Sequence, residues 1–204
     1  MGMAVIKRSL LLGRGLSTGG ARSSHNRKTP MQSSNALTAP HVFVAIATAG
    51  LVGEVAFEIY AWLISPHLFD VVLQPSNLVI ALAAKLAGLQ LTHAIAFPVH
   101  FLIGSLGFGA FVYGISLLFS AERVWLPGLV AGVILWFVAQ GILAPFIGRS
   151  FMMDFGAYTQ SSFVGHVGMT LLMARVLAVV LSYFRGRGVG PRGWGDTDHG
   201  GNSL

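Results

Sequence analysis

Glu54, Glu58, His93, His100 and His166 are ionisable side chains inside long apolar runs of this chain. Charge is costly in hydrocarbon, so each needs a partner, a wet cavity or a ligand. Glu54 and Glu58 are four residues apart and His93 and His100 are seven apart, so each pair shares one face of a helix. Carboxylate with imidazole is a donor set for zinc, iron or manganese, and Glu58, His100 and His166 are the metal ligands to expect. The same groups can bind or sense a proton, because imidazole changes charge near neutral pH. A b-type haem needs axial histidines on facing helices, and His100 with His166 is the pair that fits. No Ser-His-acid grouping or glycine-rich elbow is present, so no residue is assigned a catalytic role.

Each residue also has an ordinary explanation. Glu54 can form an intramembrane ion pair with Arg175. Glu58, Tyr60 and His93 can reach headgroups from the membrane surface. His166 can be a hydrogen-bonding residue near a helix end. His100 is hardest to explain this way, being deep in its run and close to Pro98.

The elements that must position these groups are transmembrane helices. Of 204 residues, 54% are hydrophobic and 10% charged, where a soluble domain carries about 25% charged residues. The absence of cysteine excludes disulfides, thiolate metal sites and thioether-linked haem. A bilayer crossing takes about 20 apolar residues, and four stretches qualify: residues 41–64, 92–119, 125–147 and 161–184. Residues 77–91 form a shorter periodic segment interrupted by Lys85. The fold expected is all-α, a polytopic bundle of four transmembrane helices with a short interfacial or re-entrant helix before the second span. A fifth crossing over 77–91 is the alternative.

Lys7, Arg8, Arg14, Arg22, Arg27 and Lys28 all precede the first acidic residue, Glu54, and Arg185, Arg187 and Arg192 follow the last apolar run. Basic ends face the cytoplasm, which gives an N-in, C-in topology. No aromatic residues interleave with the charge, so nucleic acid is not an expected partner. The bilayer is, with a homo-oligomer or a larger membrane complex as further options. Residues 1–40 read as a disordered basic tail, a targeting segment or a partly untranslated stretch, with Met1 and Met31 both available as starts. Residues 41–184 form the membrane domain, and 185–204 read as a disordered glycine-rich tail.

A rise of about 1.5 Å per residue puts Glu58 roughly 9 Å, His100 roughly 12 Å and Glu54 about 15 Å below the outer surface, with His166 about 7 Å deep. His93 then sits at the mouth of this layer. Gly104 and Gly109 on the second span, and the GxxxG pair Gly128 and Gly132 on the third, mark close helix packing. Pro98 and Pro145 are expected to distort their helices.

His100, Gly104, Gly109 and Tyr113 in the second span, Gly128 to Gly132 with Pro145 and Gly148 in the third, and the Gly165-His166 pair in the fourth carry a resemblance. Over about residues 95–180 the chain resembles the YagU-like inner-membrane proteins, a domain of unknown function. Gln140 stands where that pattern has a histidine, and Ser162 where it has a glutamate. The resemblance implies a small multi-pass bacterial inner-membrane protein linked to acid stress, without established catalysis; the mitochondrial inner membrane is the other location the basic leader allows. The expected role is non-enzymatic: an outer-leaflet polar pocket that binds or senses a proton or cation and requires no cofactor. Its rivals are a membrane-embedded haem or metal redox protein and an assembly subunit of a membrane complex.

Overall fold

The computed structural model of the chain describes residues 37–120 and 122–187. The expectations for a targeting segment, for the choice of start and for the tail beyond Arg187 lie outside these residues. Among the described residues there are five main helices: α1 (Ala39–Phe69), α2 (Ser76–Ala87), α3 (His93–Ser116), α4 (Trp125–Phe146) and α5 (Ala157–Arg187). All but α2 are long and apolar enough to cross a membrane, so the protein is an all-α four-helix membrane bundle. Phe43, Leu63, Leu102, Leu117 and Leu118 are among many large apolar side chains pointing outward. Lipid solvates such a surface and water does not.

Three spans run through a proline, Pro66 in α1, Pro98 in α3 and Pro145 in α4, and α1 and α4 do it the same way. In α1 a π-helical turn, Tyr60–Ile64, precedes Pro66, and the Ser65 N–H reaches back five residues to the Tyr60 carbonyl. In α4 the turn Val138–Leu143 precedes Pro145, and the Ala144 N–H bonds the Ala139 carbonyl. A proline ring clashes with the carbonyl four residues back, and the wider turn moves that carbonyl away. This is why α1 continues to Phe69 rather than ending at residue 64. A third π-turn, Ile103–Phe108, follows His100 in α3.

The short α2 packs on the first turns of α3 and is closed by Gly88 in the left-handed conformation, at φ 68°. Between α4 and α5, residues Met152 to Phe155 take positive φ of 48° to 55°, a left-handed turn of four side-chain-bearing residues. Such a turn costs about 1–2 kcal/mol per residue. Burial of Met152, and the Thr159 hydroxyl donating to its carbonyl, hold the turn in place.

Helix α5 packs along both α1 and α4, while α3 packs on α1 and α4, closing a ring of four. The contacts are nearly backbone to backbone. A Cβ on Gly128 would meet Leu171 Cα at 2.7 Å, and one on Gly132 would meet Val167 Cα at 2.7 Å. The GxxxG pair of α4 is therefore a contact with α5 of the same chain. Gly50 lies against the Ser105 carbonyl, and a Cβ on Gly109 would meet the Ile46 carbonyl at 2.8 Å, which seats α1 on α3.

Candidate cation site

Because α1 and α3 touch at Gly50, a side chain one turn further along α1 reaches across to α3 without extending. That side chain is Glu54, which is fully buried. Its carboxylate lies on Gly104, where any Cβ would overlap it. One turn before Gly104, His100 puts its Nδ1 3.1 Å from Glu54 Oε1 and 4.0 Å from Glu58 Oε1. The three donor atoms all lie within 4.8 Å of one another. Yet Glu54 Oε1, Glu54 Oε2, Glu58 Oε1 and His100 Nδ1 are buried without a hydrogen-bond partner. They face each other at the right distance without the alignment that a hydrogen bond needs.

The other Glu58 oxygen is held in place. Oε2 accepts a 2.9 Å bond from the Trp62 indole N–H, one turn along α1, which aims Oε1 at His100. Trp62 lies in the π-turn, so the same feature that carries α1 past Pro66 also orients the carboxylate.

His166 belongs to a neighbouring network. Its Nδ1 donates to the Ser162 carbonyl at 2.7 Å, which leaves Nε2 as the free ring nitrogen. Ser162 Oγ accepts from Gln140 Nε2 at 3.1 Å, and Gln140 Oε1 is left buried and unpaired. The Phe57 ring contacts both imidazoles, with centroids 5.5 Å from His166 and 6.5 Å from His100. A mainly apolar cavity of about 240 Å³ joins the two groups; Glu54, His100, Gln140, Arg149 and His166 line it, with Leu78 and Leu82 of α2.

The structure thus brings Glu54, Glu58 and His100 together and sets His166 beside them. It leaves His93 apart. His93 is exposed at the start of α3, with Nδ1 3.3 Å from the Ser76 hydroxyl. The Glu54–Arg175 ion pair is not formed, which corrects the sequence expectation. On α5 it is Met173 that meets α1, at Gly53. Arg175, two residues on, is turned about 200° round the helix. It is exposed and lines a different groove with Arg123 and Arg185. The layer is also deeper than expected. His166 is nine residues into α5, roughly 14 Å at a helical rise, because the helix starts at Ala157.

Sequence reasoning gave no role to Trp62 or Gln140. Both carry a legible signal: an indole four residues after Glu58, and a lone amide inside an apolar span. The polar lock at the same end was also missed. There Tyr60 Oη donates to the Ser161 carbonyl at 3.1 Å, and the buried Ser65 and Ser161 hydroxyls are 2.6 Å apart. Tyr60 is therefore tied to α5 and does not reach for headgroups.

When both are ionised, the two carboxylates outweigh the single imidazole, and a proton on one carboxyl or a bound cation is needed for neutrality. Full protonation of His100 supplies one positive charge against two negative ones. Among the described residues no lysine or arginine contacts either carboxylate. No protein-family model, no curated protein and no solved structure matches the chain.

Proposed function

We propose that this is a small multi-pass protein of a bacterial inner membrane, with both termini in the cytoplasm, that binds a divalent cation at Glu54, Glu58 and His100. The observation that carries this reading is the set of buried donor atoms of these three residues, without hydrogen-bond partners and facing one another from two spans. A divalent ion neutralises the two carboxylates and leaves the imidazole neutral, so the assembly carries no net charge into hydrocarbon. Donor–metal bonds of about 2.1 Å imply tetrahedral donor–donor edges of about 3.4 Å. The observed separations, from 3.1 Å up to within 4.8 Å, bracket that value. An imidazole in the set favours first-row transition ions over calcium or magnesium. Three protein donors leave one tetrahedral position for water or an exogenous ligand.

The orientation rests on the basic tails and the inner-membrane location on the resemblance to YagU-like proteins, and this orientation would put the site in the outer leaflet. Trp62 supplies the outer support that metal-bound carboxylates usually have.

Cobalt(II) is the test, since its visible bands report nitrogen and oxygen ligation. Purified wild type is expected to take up one equivalent, with bands that saturate. Glu54→Gln, Glu58→Gln and His100→Ala lose them, and His166→Ala keeps them. Bound ion also stabilises the fold, by about 2.7 kcal/mol at a hundred times Kd. A featureless titration of folded wild type, or equal binding by all four variants, would refute the site.

A further inference from the structure

Arg175 sits inside a span, and the carboxylate expected to neutralise it is engaged elsewhere. Its surroundings say what replaces it. A groove of about 670 Å³ runs between the end of α3, the start of α4 and the last turns of α5, at the end of the bundle where α1 begins and α5 closes. Three arginines line it: Arg123 from the α3–α4 connection, and Arg175 and Arg185 from α5. All three are exposed, and none makes an ion pair or hydrogen bond with any described residue. Glu122 is the neighbouring acid in the connection, and it pairs with none of them. Ser116 and Ser182 also line the groove, but their hydroxyls donate to the Tyr113 and Val179 carbonyls of their own helices. Among the described residues, nothing in the groove offers the arginines an anion.

We infer that the groove binds one anionic phospholipid of the cytoplasmic leaflet. Ten residues separate Arg175 from Arg185, so the groove extends roughly 15 Å along α5. Its shallow end carries Arg123 and Arg185 at headgroup level, where a phosphate can be gripped by two forked guanidinium groups. Arg175 enters from below, its long stem lying on apolar wall and its head rising to the same phosphate. The walls beneath are Leu117, Leu177, Val179 and Leu181, which suit acyl chains and would not hold a free phosphate ion. Arginine rather than lysine at all three positions fits bidentate recognition. Basic pockets between transmembrane helices on the cytoplasmic side are a known solution for anionic headgroups.

The test is lipid retention by the full chain, extracted in mild detergent and read by native mass spectrometry. Wild type is expected to keep one phosphatidylglycerol or cardiolipin through washes that strip phosphatidylcholine. Each arginine-to-glutamine change lowers retention about fivefold, and the triple variant R123Q/R175Q/R185Q about a hundredfold. Arg175→Lys, which keeps the charge but not the fork, falls between wild type and Arg175→Gln. Since glutamine at 175 can also disturb folding, the melting temperature in phosphatidylglycerol nanodiscs against phosphatidylcholine ones gives a second reading. Wild type is more stable in the anionic lipid, and the triple variant is equally stable in both. Undiminished retention in the triple variant, retention of zwitterionic lipid alone, or displacement of the lipid by inorganic phosphate would overturn the assignment. His100→Ala leaves retention unchanged, which separates this groove from the cation site.

Discussion

The two ends of the bundle hold opposite charge by opposite means. At one end Glu54 is fully buried, its carboxylate pressed on Gly104 between two helices whose backbones touch. At the other end Arg123, Arg175 and Arg185 stand exposed around an open groove. Enclosure at one end demands shape, so a single methyl group decides whether an ion fits. Openness at the other demands only charge and a chain-sized trough, so no single residue decides anything. The acidic site should therefore fail abruptly under small steric changes, and the basic groove should weaken by steps.

Gly104→Ala is the sharpest way to break this contrast. A Cβ at that position coincides with the Glu54 carboxylate, so the carboxylate must leave the cluster. Cobalt affinity is expected to fall by about a hundredfold or more, the upper end for loss of a supporting contact, although no ligand is substituted. Displacing a buried charged group also costs about 3–5 kcal/mol of stability, read by thermal or denaturant unfolding in detergent. Gly128→Ala is the control: its Cβ strikes α5 backbone at 2.7 Å, so it destabilises the bundle without moving the site. Equal cobalt affinity in wild type and folded Gly104→Ala would mean that enclosure is not what holds the site.

Trp62→Phe asks the same question more gently. The ring stays but the indole N–H is lost, and with it the 2.9 Å bond that aims Glu58. The expected result is about tenfold weaker cobalt binding with one equivalent still bound, as for other outer-shell changes. A loss as complete as that of Glu58→Gln would instead make Trp62 necessary to fold the π-turn.

Spacing along the sequence found the acidic cluster because helices convert spacing into faces. Glu54 and Glu58 share a face of α1, and His100 with Gly104 shares one of α3. What spacing could not supply was which faces meet. Depth alone placed Arg175 within reach of Glu54, but the approach of Gly53 to Met173 turns Arg175 to the far side of α5. Depth itself was underestimated because Pro66 reads as the end of the first span and residue 161 as the start of the last, whereas the π-turn at Tyr60–Ile64 carries α1 past Pro66 and α5 starts at Ala157. The small residues Gly109, Gly128 and Gly132 announced tight packing correctly in kind. Their partners, Ile46, Leu171 and Val167, come from the fold. The bundle was legible from the composition of its spans, whereas the site needed the rotation of each helix about its axis.

Salt separates the two ends with the smallest expected effect. Raising ionic strength from about 0.01 M to about 0.15 M shortens the Debye length from about 30 Å to about 8 Å. The arginines of the groove are exposed, so their attraction for an anionic headgroup is screened, and the preference for phosphatidylglycerol over phosphatidylcholine should fall severalfold. The carboxylates of the acidic site lie where counterions do not penetrate: Glu54 is 0% and Glu58 12% exposed in their side chains. Cobalt affinity there should change by no more than about twofold, measured with a chloride salt that does not complex the metal at these concentrations. The lipid arm is read with wild type and His100→Ala, and the metal arm with wild type and Arg175→Gln, so that each end serves as the other's control. If cobalt binding tracked salt as steeply as lipid preference does, the carboxylates would have to be wet. The charge argument for a divalent ion would then lose its premise, because water and mobile counterions would already balance them.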